Sequence, residues 1–130
     1  MRVCKLNKYM LQNHTTSLEL SKQLKVAGCP QESEFYWADD FINPFVFPAT
    51  EKEKWQNSIS DTGYFRIYSA YLSSEIGEMW KKKNIDEPLP HIGQDGWYWY
   101  KGEQLKKEKT EADCRAKMLL FLIKEGIVKF

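Results

Sequence analysis

The stretch T-E-A-D-C-R-A-K-M-L-L-F-L-I-K-E-G-I, residues 110–127, decides how the rest of the chain is arranged. Thr110 is a good N-cap, because its hydroxyl can accept a backbone N–H from the first turn. Glu111 and Asp113 put negative charge where the helix dipole favours it. Asp113 stands where a capping box would carry Glu or Gln, so the box is imperfect. Gly126 tolerates a left-handed backbone after the last turn, and Ile127 is placed to fold back onto that turn. Between the caps, Ala112, Ala116, Leu119, Leu120 and Ile123 recur at helical spacing, and Met118, Phe121 and Leu122 fill the gaps. A helix apolar nearly all round in its second half reads as a buried element, the one on which the others pack. The apolar run is far shorter than the roughly 20 residues a membrane span requires.

Upstream of this helix stands Trp97-Tyr98-Trp99-Tyr100. In an extended strand the two tryptophans face one way and the two tyrosines the other. A strand apolar on both faces needs cover on both, or else it presents one aromatic face to a partner. Glu34-Phe35-Tyr36-Trp37 and Tyr64-Phe65-Arg66-Ile67-Tyr68 read as two further strands. Thr16-Ser17-Leu18-Glu19 reads as a capping box opening a helix with Leu20, Leu24 and Ala27 on its inner stripe, stopped by Gly28 and Pro30. Ser69 is placed to cap another helix from Ala70 to about Lys82, with Leu72, Ile76, Met79 and Trp80 turned inward. Residues 38–63 are turn-rich, with a short strand at Phe45-Val46-Phe47 and one helical turn between Glu51 and Trp55. Residues 1–14 read as an arm or a short first strand.

The expected fold class is α+β: a small, mostly antiparallel β-sheet, built from residues near 34–38, 64–68 and 96–101, packed against three helices with the C-terminal one central. Three helices are enough to cover both faces, which favours a structural role for the rings. A chain of 130 residues suggests one domain, 1–130, that needs neither disulfide nor metal to hold together.

Charge and cysteine usage narrow the function classes. Nineteen basic residues stand against eighteen acidic ones, so no global field recruits nucleic acid or membrane. The acidic stretch 32–61 and the basic stretch 1–27 are expected to attract each other. Cys4, Cys29 and Cys114 are odd in number, widely spaced and without a CxxC pair, which points to free thiols in a reducing cytoplasm. The N-terminal residues lack the apolar core of a signal peptide.

Ser17 to Lys25 with Gly28, Gln31-Glu32-Ser33 and Phe35-Tyr36-Trp37 resembles the opening of a group of small uncharacterised proteins carried by phages and prophages. Tyr68-Ser69-Ala70-Tyr71 with Glu75-Ile76-Gly77-Glu78-Met79 is similar to their middle segment. Glu111-Ala112-Asp113 with Arg115-Ala116-Lys117-Met118-Leu119 is similar to their C-terminal helix, although Cys114 stands where alanine is expected. Residues 40–62 match nothing in the group. The resemblance implies a bacterial or phage cytoplasmic origin and transfers no catalytic residue.

The residues offer little chemistry. His14 and His91 are isolated; Asp86, Glu87 and Asp95 near His91 read as solvated loop carboxylates. Cys29 has no base beside it. Gly93-Gln94-Asp95-Gly96 is a turn, without the glycine pattern of a phosphate loop. No catalytic residue, metal site or cofactor is expected, and the chain is not read as an enzyme. The favoured reading is a small accessory module that binds a host or phage protein, with Trp37, Arg66, Trp97, Trp99 and Lys101 as candidate partner-binding residues. The alternative is single-stranded nucleic acid stacked on Trp37, Trp97 or Trp99, with Arg66, Lys101, Lys106 and Lys107 on phosphates. An enzyme or small-molecule binder is the third reading. No membrane contact is expected, and the oligomeric state is left open.

Overall fold

The computed structural model of the chain describes residues 14–40, 43–56, 65–83 and 90–130. Of the expected arm or strand over 1–14, all but His14 lies outside the described residues, as does the turn at Asp61-Thr62-Gly63.

Two three-stranded antiparallel sheets replace the single expected sheet. The first has the order β2–β1–β3, from β1 (Phe35–Asp40), β2 (Phe45–Pro48) and β3 (Phe65–Ala70). The second is a meander of β4 (His91–Gly93), β5 (Gly96–Lys101) and β6 (Gln104–Glu108). The aromatic strand 96–101 therefore pairs only with its sequence neighbours and not with 34–38 or 64–68. Its turns explain this: residues 94–95 and 102–103 close tight hairpins on both sides, so the nearest pairing surfaces are local.

Both faces of the first sheet are covered. On one, Tyr36, Ala38 and Phe47 form a small core against Phe45, Ile67 and Trp55. Trp55 comes from a 3-10 turn, Ala49–Glu51, that continues as helix over residues 52–56. On the other face lies α1 (Leu18–Val26); Trp37 donates its indole N–H to the Thr16 carbonyl at 2.8 Å, and Lys25 sits 5.0 Å from the Tyr68 ring centre. The expected attraction between acidic and basic stretches is realised here as Lys22 to Asp39 at 2.9 Å.

The cap of α1 is Ser17, one residue later than the capping box suggests; its hydroxyl accepts the Leu20 N–H at 3.3 Å. Thr16 is instead buried, its hydroxyl accepting the Tyr71 N–H at 3.1 Å. The helix ends in a Schellman turn: Gly28, at φ 92°, takes the left-handed conformation and the Cys29 N–H reaches the Leu24 carbonyl at 3.0 Å.

The second long helix, α2, spans Ser73–Lys82. Its expected first residues, Ser69 and Ala70, complete β3, because strand pairing to Tyr36 and Phe35 runs to the end of that segment. The cap is made by Glu75, whose carboxylate takes the Leu72 N–H at 2.8 Å and the Glu34 N–H at 3.0 Å. Ile76, Met79 and Trp80 face the core as the spacing predicts.

The third helix, α3 (Glu111–Lys124), touches α1, α2, β5 and β6. Thr110 caps it through the Asp113 N–H at 3.2 Å, and Gly126 closes it with the Ile127 N–H on the Leu122 carbonyl at 2.9 Å. Ile127 itself stays in solvent; Val128 is the residue that folds back into the core. Leu119 and its N-terminal neighbours on the inner stripe are buried, whereas Leu120, Phe121, Leu122 and Ile123 are only half covered. The apolar second half of this helix is thus not fully enclosed.

Asp113 does more than the imperfect box implied. Its carboxylate accepts the Ser17 N–H at 2.8 Å, pinning the start of α3 to the start of α1 across 96 residues. Burial raises its carboxyl above the usual range, partly offset by that N–H. A raised folded value means that ionisation opposes folding. This group's contribution is full below its unfolded pKa and is lost as pH rises through the raised folded one. Asp113→Ala is expected to cost about 1–2 kcal/mol in urea unfolding, since the Ser17 N–H at the start of α1 loses its acceptor while the Thr110 cap, which uses the Asp113 backbone N–H, stays. Asp113→Asn, which keeps the acceptor without the charge, retains most of the stability and abolishes that share of the pH dependence.

Candidate functional site

The second sheet has one face packed on α3 around Trp99, with Ile92 at its margin left exposed, and one open face. On the covered side, Trp99 packs against Phe121 with ring centres 6.2 Å apart and donates its indole N–H to Glu108 at 3.2 Å. Trp97 is half buried in the cleft that also holds His14, Ser73 and Thr110. On the other side stand Tyr98, Tyr100, Leu105, Lys107 and His91, paired across the strands as His91 with Tyr98, Tyr98 with Lys107 and Tyr100 with Leu105. Tyr100 is 60% exposed and Leu105 54%. The expectation that helices cover both faces of this strand fails on this side: α3 takes the tryptophan face, and nothing described lies over the tyrosines.

The open face is locally ordered. The Tyr98 hydroxyl donates to Asp95 at 2.5 Å, and Lys107 pairs with the other carboxylate oxygen at 2.6 Å. The Lys107 ammonium first, and the tyrosine hydroxyl second, lower the Asp95 pKa below its usual range. Gly93 lies directly beneath Tyr98; a Cβ there would collide with the ring, so glycine lets the ring lie against the strand. His91 meets Tyr100 edge-on with centres 6.2 Å apart.

A second feature borders the covered face. Leu20, Trp99, Leu120 and Phe121 floor a hollow of about 340 Å³ whose rim carries Lys101, Lys106, Lys117 and Lys124. Lys117 is engaged with Glu108 at 2.7 Å. Lys101, Lys106 and Lys124 form no ion pair among the described residues.

The residues singled out in the sequence separate into two groups. Trp37 and Arg66 belong to the first sheet, where Trp37 is 6% exposed and holds Thr16, and Arg66 stands exposed opposite Asp39. Trp97, Trp99 and Lys101 belong to the second. Trp99 is 5% exposed and its N–H is taken, so neither it nor Trp37 offers a free stacking face. Tyr98, Tyr100 and Leu105 were overlooked, although the alternation of residues 97–100 already set the tyrosines apart from the tryptophans. The cluster of Lys117, Lys124 and Leu120 was also overlooked; its signal is lysines seven residues apart on one helix face.

Cys29 and Cys114 are buried free thiols, and burial pushes each up to about 12, which removes their nucleophilicity at neutral pH. Among the described residues no group of three or more His, Cys, Asp or Glu could hold a metal ion, and no helix is long and apolar enough to cross a membrane. No family model matches the chain, and no curated protein or solved structure matches it either.

Proposed function

We propose that the chain is a small phage- or prophage-type accessory protein of the bacterial cytoplasm that binds another protein through the open face of its second sheet. The observation that carries this reading is the exposed pair Tyr100 and Leu105, with the half-buried Tyr98 beside them, on the sheet face opposite the buried Trp99. Exposed apolar rings on an ordered strand bring little folding stability and are well suited to a partner, because tyrosine offers a large contact area and loses few rotamers. The side-chain face, rather than the sheet edge, is the contact. Edge strand β6 carries Lys106 and Lys107, and charged edges discourage strand addition. The phage assignment rests on the resemblance of residues 17–37, 68–79 and 111–119. The cytoplasmic one rests on that resemblance together with the unpaired thiols.

A benzophenone amino acid at position 100, photoactivated in bacteria expressing the chain, is expected to give a discrete heavier adduct. Leu105→Asp should remove the adduct. The same probe at Glu53, on the exposed 52–56 helix, should give none. Tyr100→Ser should cost less than about 1 kcal/mol of stability, the scale of a single cross-strand pair. No adduct at 100, or an equal one at 53, would overturn the reading.

A further inference from the structure

We infer that the trough between α1, α3 and the covered face of the second sheet seats an acidic amphipathic helix of a partner protein. This surface is separate from the tyrosine face, and the inference does not rest on that face being used. The hollow floored by Leu20, Trp99, Leu120 and Phe121 does not end at α3. A second hollow of about 500 Å³, lined by Val26, Ala27 and Ile123, shares Gln23, Leu120 and Lys124 with the first. The two form one trough along the α1–α3 seam. Val26 is 89% exposed at its far end, an aliphatic side chain left in water on an otherwise amphipathic helix.

The dimensions suit a helix. Lys117 and Lys124 lie two turns apart on α3, which is about 10 Å of rise. Two turns of a docking helix present apolar residues at i, i+3 or i+4 and i+7 over the same length. The trough is open along its top, whereas a small-molecule site encloses most of its ligand.

The charges select the occupant. Lys101, Lys106 and Lys124, which have no ion pair among the described residues, ring an apolar floor, while Glu108 is already neutralised by Lys117 and by the Trp99 N–H. Glu19 is the carboxylate at the other end, with Lys22 nearby held by Asp39. A second copy of this chain docking trough to trough would set these lysines against each other. A nucleic-acid strand would find little to stack on, because Trp99 is sealed into the floor and the half-covered Phe121 is the one other ring lining the trough among the described residues. A helix with leucine-like residues on one side and carboxylates flanking them satisfies both the floor and the rim.

The test is selection from a display library of peptides of about 15 residues, long enough for four helical turns, with apolar and acidic positions varied. The full-length chain is the bait. Enriched peptides are expected to combine apolar residues at helical spacing with Glu or Asp beside them. Their affinity should fall at least about tenfold in a Lys101→Glu, Lys106→Glu double variant, whose sites lie on the rim and leave the core untouched. It should also fall as salt rises from about 50 mM to about 500 mM, where screening shortens the reach of surface charges. Leu120→Asp should abolish binding. Leu105→Asp, on the tyrosine face, should leave it unchanged, and the lysine variant should leave the position-100 photo-adduct unchanged. Any of four results overturns the inference: no enrichment, peptides indifferent to the lysine reversals, oligothymidylate displacing the peptides, or anionic vesicles displacing them.

Discussion

Trp80→Ala lowers the free energy of unfolding by about 3–5 kcal/mol, the range for removing a fully buried tryptophan. Trp80 is the largest side chain completely enclosed in the main core, on the inner stripe of α2 with Ile76 and Met79 and in the same cluster as Leu119 of α3. Since α2 and α3 pack on each other, the cavity would open at their junction, where two helix backbones hold each other apart and collapse is restricted. A domain of this size holds only about 5–15 kcal/mol in total, so the variant loses about a fifth of it or more. Its melting temperature should fall by about 15 °C. Trp80→Phe is expected to cost far less than alanine. The indole N–H has no acceptor among the described residues, so phenylalanine removes an unsatisfied buried donor along with the ring volume. Urea unfolding of both variants checks this. Equal losses for phenylalanine and alanine would mean that the indole nitrogen is bonded after all.

Tyr71→Ala is expected to lose about 4 kcal/mol, and Tyr71→Phe only about 1–2 kcal/mol. Tyr71 is fully buried, and burial raises its phenol well above the usual range. Its hydroxyl accepts from Gln31 Nε2 at 2.8 Å and donates to the Pro30 carbonyl. Its backbone pairs with Thr16 in both directions, the Thr16 N–H reaching the Tyr71 carbonyl at 2.9 Å. This one residue therefore ties the loop after α1 to the end of β3. Phenylalanine keeps the ring and the backbone pairing. Gln31 keeps the Cys29 carbonyl at 3.2 Å and the Ser69 N–H at 3.0 Å, so the Pro30 carbonyl is the main group left without its donor. Should phenylalanine cost as much as alanine, the hydroxyl network and not the ring would dominate.

These two residues show what a linear reading reaches and where it stops. Trp80 was placed on the inner stripe of its helix by spacing alone, because helical periodicity is a local property. Thr110 and Gly126 were read as caps for the same reason. Ser69 looks like a cap, which puts Tyr71 in the following helix; the pairing of Ser69 with Tyr36, a tertiary contact, instead runs β3 to Ala70 and leaves Tyr71 between strand and helix. Ser17 and Thr16 exchanged roles since both hydroxyls suit a cap, and only the position of Tyr71 chooses between them. The division into two sheets was hidden by the long separation of strands and by tight turns whose consequence is non-local. Within the candidate site, the aromatic strand and Lys101 were legible. Which ring face meets α3 was not, because alternation separates the faces without ranking them.

That last ambiguity has an outcome for the strand itself. Trp97 to Tyr100 is almost symmetric to a frame shift: moved by one place against its neighbours, it would turn the tyrosines toward Phe121 and the indoles into water. The hydrophobic pattern does little to forbid this. What fixes the frame is the pair of two-residue turns at 94–95 and 102–103, seconded by Gly93, against which the Tyr98 ring settles, and by Glu108, which receives the Trp99 indole N–H. The identity of the chain's outward-facing surface therefore hangs on loop length, one glycine and one carboxylate rather than on apolar bulk.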